Sequence, residues 1–315
     1  MRFELGDSGD KPFALVFPGQ GYQNLETVEA LREQTPFAAR FRLVCELLGC
    51  DPLRDAAADP SVLRRNAVSS LLTVLASSVT LDSIRGDLNF DNCVGVAGYS
   101  VGQWSALYAA GAIDAEQLLK IVHGRATIMD RHMASEPSGM LAVIGVRESD
   151  LRTLCARAQD EGLMLAVANI NAPSNYSLSG TVSGLAFAER EVAQFRPKTL
   201  VRLPVSGGWH SELLNNAVEP FRVFLEKATF AETTVRVIDN TTGGWLPGAR
   251  QEMIGRLAAH LSSPVLWKHG VEALTQSGAQ VFLEVGLGDI LSKFGVFISR
   301  KARYIPVLSM QGSAR

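Results

Sequence analysis

A valine-rich run that stops at Gly98, a serine two residues on, and a helix-forming stretch from Gly102 are the marks of a nucleophile elbow between a buried strand and a helix. A later β-α-β-β-α-β succession over residues 137–205 is the split βαβ pattern. Together they predict an α/β fold: an α/β-hydrolase-like large domain with a parallel sheet, from 1–136 and 206–315, plus an inserted ferredoxin-like small subdomain over 137–205. The 315 residues, 47% hydrophobic and 20% charged, suffice for an ample core. With 30 basic and 32 acidic residues the net charge of −2 points to neither nucleic acid nor an anionic membrane as partner. Cys45, Cys50, Cys93 and Cys155 have no paired spacing, so no metal site and no disulfide framework is expected. The N-terminal stretch lacks a signal-peptide core, and no run of about 20 apolar residues stands out, which predicts a cytoplasmic protein.

In chain order, Phe13 to Phe17 reads as a buried strand ended by Pro18-Gly19-Gln20-Gly21, a glycine-rich loop of the kind α/β proteins place at their sites. Glu26 to Thr35, Phe37 to Leu48 and Ser69 to Ile84 read as helices, and Asp51 to Pro60 as a loop. After the elbow come helices from Gln103 to Gly111 and from Asp114 or Ala115 through Met133, Asp114 being a plausible N-cap. The insert reads as strand Met140 to Val146, helix Glu148 to Glu161, strands Leu163 to Asn169 and Tyr176 to Ser179, helix Gly184 to Phe195, and strand Thr199 to Val205. Helix His210 to Ala228, strand Val235 to Ile238, helix Gln251 to Leu261, strand Val281 to Val285, helix Ile290 to Ser299 and an edge strand Tyr304 to Ser309 complete the chain.

Chemistry centres on Ser100. The elbow requires small residues two before and two after the serine, which Gly98 and Gly102 supply, and the following helix aims its N-terminal N–H groups at any oxyanion formed there. A serine hydroxyl needs a base. Of five histidines, His210 follows a strand and two glycines, the address of a catalytic base, whereas His123, His132 and His269 sit on helices and His260 is ambiguous. A third member of the site is left open between Asp239, Asp289 and a backbone carbonyl.

Six ordered motifs carry a family resemblance: Phe17 through Gln23, the elbow, Arg125 with Met129, Asn169 through Pro173, Val205 through His210, and Glu284 through Gly288. The chain resembles the malonyl-CoA:acyl-carrier-protein transacylases, including trans-acting polyketide synthase acyltransferases and the malonate decarboxylase transacylase subunit, from about Phe13 to Leu308. The resemblance implies a Ser100–His210 dyad in ping-pong catalysis, with acyl-CoA and an acyl carrier protein as partners and no cofactor. It implies an oxyanion hole from the N–H groups of Gln20 and Val101, and a main-chain carbonyl near His260 to Ser263 orienting the imidazole. Arg125 matches the arginine that pairs with the free malonyl carboxylate, and Met129, Asn171, His260, Tyr99 and Trp209 fall at substrate-binding positions. Departures concern shape: Tyr99 replaces a usual histidine, Gln103 a glutamate, His260 a glutamine, Trp209 a phenylalanine or serine, and Leu287 a proline. Trp209 is expected to crowd an α-substituent and so favour malonyl over methylmalonyl, or else to line a pocket for an unusual acyl chain. Alternatives are an editing acyl-carrier-protein hydrolase on the same scaffold and a non-catalytic carrier-binding protein. An acidic carrier points to a basic rim, with Lys198, Arg202, Lys268, Lys293, Arg300 and Lys301 as candidates.

Overall fold

The computed structural model describes residues 11–21 and 25–308; Tyr22, Gln23 and Ser309, named above, lie outside the described residues. The strands are β1 (Phe13–Phe17), β2 (Cys93–Gly98), β3 (Ser138–Ile144), β4 (Leu165–Ala172), β5 (Asn175–Thr181), β6 (Thr199–Arg202), β7 (Val281–Glu284) and β8 (Arg303–Pro306). The helices are α1 (Leu25–Glu29), α2 (Phe37–Leu48), α3 (Pro52–Ala58), α4 (Asn66–Ile84), α5 (Gly102–Ala109), α6 (Ala115–Met133), α7 (Glu148–Asp160), α8 (Val182–Glu191), α9 (Asn215–Glu226), α10 (Arg250–Ala259), α11 (Trp267–Gln276) and α12 (Ile290–Ile298).

The large domain is organised on a parallel sheet in the order β2-β1-β7-β8. All five residues of β1 are buried, because helices cover both faces of a parallel sheet and its strands then read as continuous apolar runs. Alternate side chains feed two cores. Phe13, Leu15 and Phe17 join α4, α5 and α6 on one face, while Ala14 and Val16 meet Trp267 and Val271 of α11 and Leu291 of α12 on the other. The stretch Asn66–Asp87, containing α4, is long and apolar enough to cross a membrane by length and composition, which corrects the expectation of no such run. It is a core helix here, 83% buried in its most apolar window, with Ser70, Thr73 and Ser77 buried along it.

The insert leaves after α6 and returns after β6. Its antiparallel sheet runs β4-β5-β3-β6, the order of a ferredoxin-like arrangement, and α7 and α8 bury Leu151, Leu154, Leu185 and Phe187 in a core of its own.

Several elements differ from expectation, and the helix expected over Glu26 to Thr35 gives way after α1 to a 3-10 turn at Ala30–Glu33. The loop expected over Asp51 to Pro60 contains α3: Asp51 caps it by accepting from Leu53 N and Arg54 N, both at 3.0 Å, and Pro52 takes the first turn, so residues that signal a loop here start a helix. The strand expected over Val235 to Ile238 is reduced to two isolated bridges, Val237 parallel to Val96 and Ile238 antiparallel to Trp245, because the chain turns away at Asp239. The helix expected from His210 begins only at Asn215, after a 3-10 turn at Glu212–Leu214.

Candidate active site

β2 ends at Gly98 and α5 starts at Gly102, so three residues make the whole connection. Tyr99 N–H donates to Phe17 O of β1 and Gly102 N–H to Tyr99 O, each at 2.9 Å. So tight a turn puts Ser100 at φ 53°, a left-handed conformation that a non-glycine residue keeps only when its surroundings hold it. An ideal Cβ on Gly98 would stand 1.9 Å from Gly102 O, and one on Gly102 2.3 Å from Phe17 O. Backbone cannot swing aside as a side-chain tip can. Gly98→Ala is therefore expected to cost about 3 kcal/mol of stability. Gly86→Ala is the control, since its Cβ would meet nothing within 4 Å; equal urea midpoints for the two variants would contradict the steric account.

Ser100 Oγ lies 2.7 Å from His210 Nε2, and His210 Nδ1 lies 2.9 Å from the carbonyl oxygen of His260. With Nδ1–H donated to that carbonyl, Nε2 is the lone-pair nitrogen facing the serine. Asp239 instead accepts from Thr241 N at 2.8 Å within a turn, and Asp289 pairs with Lys293 at 2.8 Å. Neither carboxylate is the third member; a main-chain carbonyl occupies that place.

His210 is itself at φ 60°, presented by a loop that the small subdomain pins. Gly208 N–H donates to Ser138 Oγ at 3.0 Å, and Ser211 Oγ donates to Gly208 O at 2.9 Å while accepting from Ser179 Oγ at 3.2 Å. Burial, reinforced by the nearby Arg125 charge, pushes the His210 imidazole down to about 3, although the His260 and Ser263 carbonyls act the other way. The His260 ring stacks on it at 4.8 Å and is likewise held well below the usual histidine range, first by burial and then by the neighbouring His210 ring and the Arg125 charge.

Arg125 comes from α6 and is only 2% exposed. Its Nε and Nη2 are buried without a hydrogen-bond partner. Burial lowers it to about 10, with Asp130 acting in the opposite sense, so it remains a cation at neutral pH.

A cavity of about 270 Å³ opens over Ser100 and His210, walled by Tyr99, Asn171, Trp209 and Phe294. Tyr99 Oη donates to Asn171 Oδ1 at 2.8 Å, and Asn171 Nδ2 to Asn175 Oδ1 at 3.1 Å, giving one wall a polar seam. Gln20 also lines it; its side chain is drawn to α4, donating to Asn66 Oδ1 at 2.8 Å and to Ser70 Oγ. The Gln20 and Val101 N–H groups have no acceptor among the described residues. Val101, Arg125, Met129 and His260 are not among the residues that line the cavity, and Met129 is core packing one turn from Arg125. Of the rim cations, Arg202 pairs with Glu189, Lys268 with Glu272 and Lys293 with Asp289. Among the described residues no group of three His, Cys, Asp or Glu side chains could hold a metal ion.

One residue escaped the sequence reading. Asn240 is buried and accepts from Ser100 N–H through Oδ1 at 3.0 Å. Its Nδ2 donates to Gly98 O at 2.7 Å and to Gln103 Oε1.

No family model matches the chain. It is 29% identical to the malonyl CoA-acyl carrier protein transacylase of Bacillus subtilis over 298 residues, covering 93% of this chain and 92% of the relative. It is 30% identical over 272 residues to the mitochondrial malonyl-CoA-acyl carrier protein transacylase of Mus musculus, covering 82% of this chain and 71% of the relative. The chain belongs to the malonyl-CoA:acyl carrier protein transacylase family. A solved transacylase structure from Coxiella burnetii superposes with a TM-score of 0.87 at 25% identity, over 95% of this chain and 94% of that one. The α/β-hydrolase-like domain with its small subdomain is the architecture of that transacylase family.

Proposed function

We propose that this member of the transacylase family, an acyltransferase, carries a malonyl group from coenzyme A to the phosphopantetheine thiol of an acyl carrier protein through an ester on Ser100. The observation that carries the reading is the 2.7 Å contact between Ser100 Oγ and His210 Nε2, with Nδ1 committed to the His260 carbonyl. Ser100 Oγ attacks the thioester carbonyl as its proton passes to His210 Nε2. The N–H groups of Gln20 and Val101 hold the oxyanion. Collapse breaks the C–S bond, and the imidazolium returns the proton to the departing coenzyme A sulfur. The carrier thiol then repeats the sequence in reverse on the acyl-serine, giving a ping-pong cycle. Coenzyme A is a co-substrate in this scheme, and no resident cofactor enters it.

Arg125 receives the free carboxylate of the malonyl group, since a buried guanidinium with two unpartnered donor nitrogens is matched by a planar anion. That cation also argues for transfer of a dicarboxylic acyl group rather than hydrolytic clearing of monoacyl chains, for which a buried charge is pure desolvation cost. Trp209 and Tyr99 limit the space beside the acyl carbon, which favours malonyl over α-substituted homologues. Intact-protein mass spectrometry after mixing with a panel of acyl-CoAs tests the reading. Malonyl-CoA is expected to leave one malonyl adduct on the parent chain and none on Ser100→Ala; a stable adduct only from monoacyl donors would sink it.

A further inference from the structure

We propose that Asn240 is a positioning residue that holds the nucleophile elbow in its reactive shape and reserves the oxyanion hole for other N–H groups. The inference rests on the reading of Ser100 as nucleophile and adds a residue to it. Three facts carry it. Ser100 sits at φ 53°, a conformation that relaxes unless something clamps both sides of it. Asn240 is that clamp: the one carboxamide takes the Ser100 N–H and gives to the Gly98 carbonyl on the other side of the turn. It also reaches Gln103 in the first turn of α5, so strand end, nucleophile and helix start are tied to a single side chain.

The clamp is fixed from behind. Asn240 O accepts from Leu266 N–H at 2.8 Å, and two residues earlier Ile238 N–H donates to Val96 O of β2 at 2.9 Å. A side chain anchored on both neighbours cannot follow the elbow if it relaxes; the elbow must conform to it. The bond also decides which amide is available for catalysis. Ser100 N–H points at Asn240 Oδ1, whereas the Val101 and Gln20 N–H groups are left without acceptors among the described residues. Without Asn240, the Ser100 N–H is free to turn toward the nascent oxyanion, and the peptide that carries Val101 N–H is held by the bond from Gln103 N–H to Ser100 O, at 3.0 Å, with no clamp on its other side.

A role confined to folding and a role in positioning make different predictions. In Asn240→Ala, kcat for malonyl transfer and the rate at which a fluorophosphonate labels Ser100 are expected to fall together by about 100-fold, the cost of losing one oxyanion donor, with KM for malonyl-CoA within about twofold of the parent. Asn240→Asp keeps the acceptor for Ser100 N–H but sets an oxygen against Gly98 O and Gln103 Oε1. Protonated, the introduced carboxyl can donate to Gly98 O and restore the clamp; ionised, it repels it. Its labelling rate is therefore expected to rise relative to the parent as pH falls, a dependence that lost packing does not create. Labelling of folded Asn240→Ala within threefold of the parent, or a parent-like pH profile in Asn240→Asp, would overturn the proposal. Should Asn240→Ala fail to fold, the Asn240→Asp profile decides alone. If the parent chain is not labelled at Ser100 at all, it is the nucleophile assignment that fails instead.

Discussion

Replacing His210 by alanine is expected to slow malonyl transfer by about 10²- to 10⁴-fold, the range for a positioned general base, with the fold retained. Single-turnover acylation followed by mass spectrometry reads the rate, and a loss below tenfold would remove His210 from the mechanism. The same variant carries a second signature. Held down to about 3 by burial and Arg125, the parent imidazole is neutral throughout the working range, so kcat/KM should show no acid limb near 6.5. Stability should show one. As pH falls below about 6.5 the unfolded chain takes up a proton that the folded chain refuses, so stability is full above that value and declines toward the folded-state value, by up to about 1.4 kcal/mol per pH unit for this histidine. Urea unfolding at pH 5 and pH 7 should give a smaller difference for His210→Ala than for the parent. Identical differences would mean that the folded chain does not hold this imidazole neutral.

What could be read from the sequence was what a backbone constraint imposes on neighbouring residues. The elbow was legible because Gly98 and Gly102 have no room for a Cβ, and His210 because Gly207 and Gly208 precede it at a strand end. The orienting group of His210 was open because a main-chain carbonyl has no side chain to mark it, and two aspartates stood at plausible places. α3 was hidden by its own start signals, since aspartate and proline belong equally to loops and to first turns. Asn240 had no local signal at all: its partners Gly98 and Gln103 lie 142 and 137 residues away, and long-range contacts, the bridge from Val237 to β2 and the bond from Leu266 N–H, bring it to the elbow. The burial of Arg125 was equally silent in the helical pattern. An arginine on α6 reads as surface, and only the register of the family motifs pointed inward.

Arg125→Ala is expected to change the choice of acyl group while sparing the chemistry at Ser100. In the parent chain the guanidinium has already been desolvated and two of its nitrogens are unpartnered, so an arriving carboxylate meets donors that need give up no other bond. Two charge-assisted hydrogen bonds in so dry a site are together worth about 3–4 kcal/mol, or a loss of about 10²- to 10³-fold in kcat/KM for malonyl-CoA. Acetyl-CoA brings no carboxylate and has nothing to lose. It should gain, because the Arg125 charge is one of the causes that depress His210, and removing it returns basicity to the imidazole. Lysine in place of Arg125 should not restore malonyl transfer, since an ammonium lacks the planar fork. Equal falls for malonyl and acetyl transfer would show that Arg125 supports the dyad rather than selecting the substrate. The two effects also couple in the parent enzyme: a malonyl carboxylate that pairs with Arg125 screens its charge from His210 and so raises the basicity of the group that must take the Ser100 proton. Selection for a dicarboxylic acyl group should then appear in kcat as well as in KM, and rapid-quench acylation rates at saturating malonyl-CoA and acetyl-CoA measure that part directly.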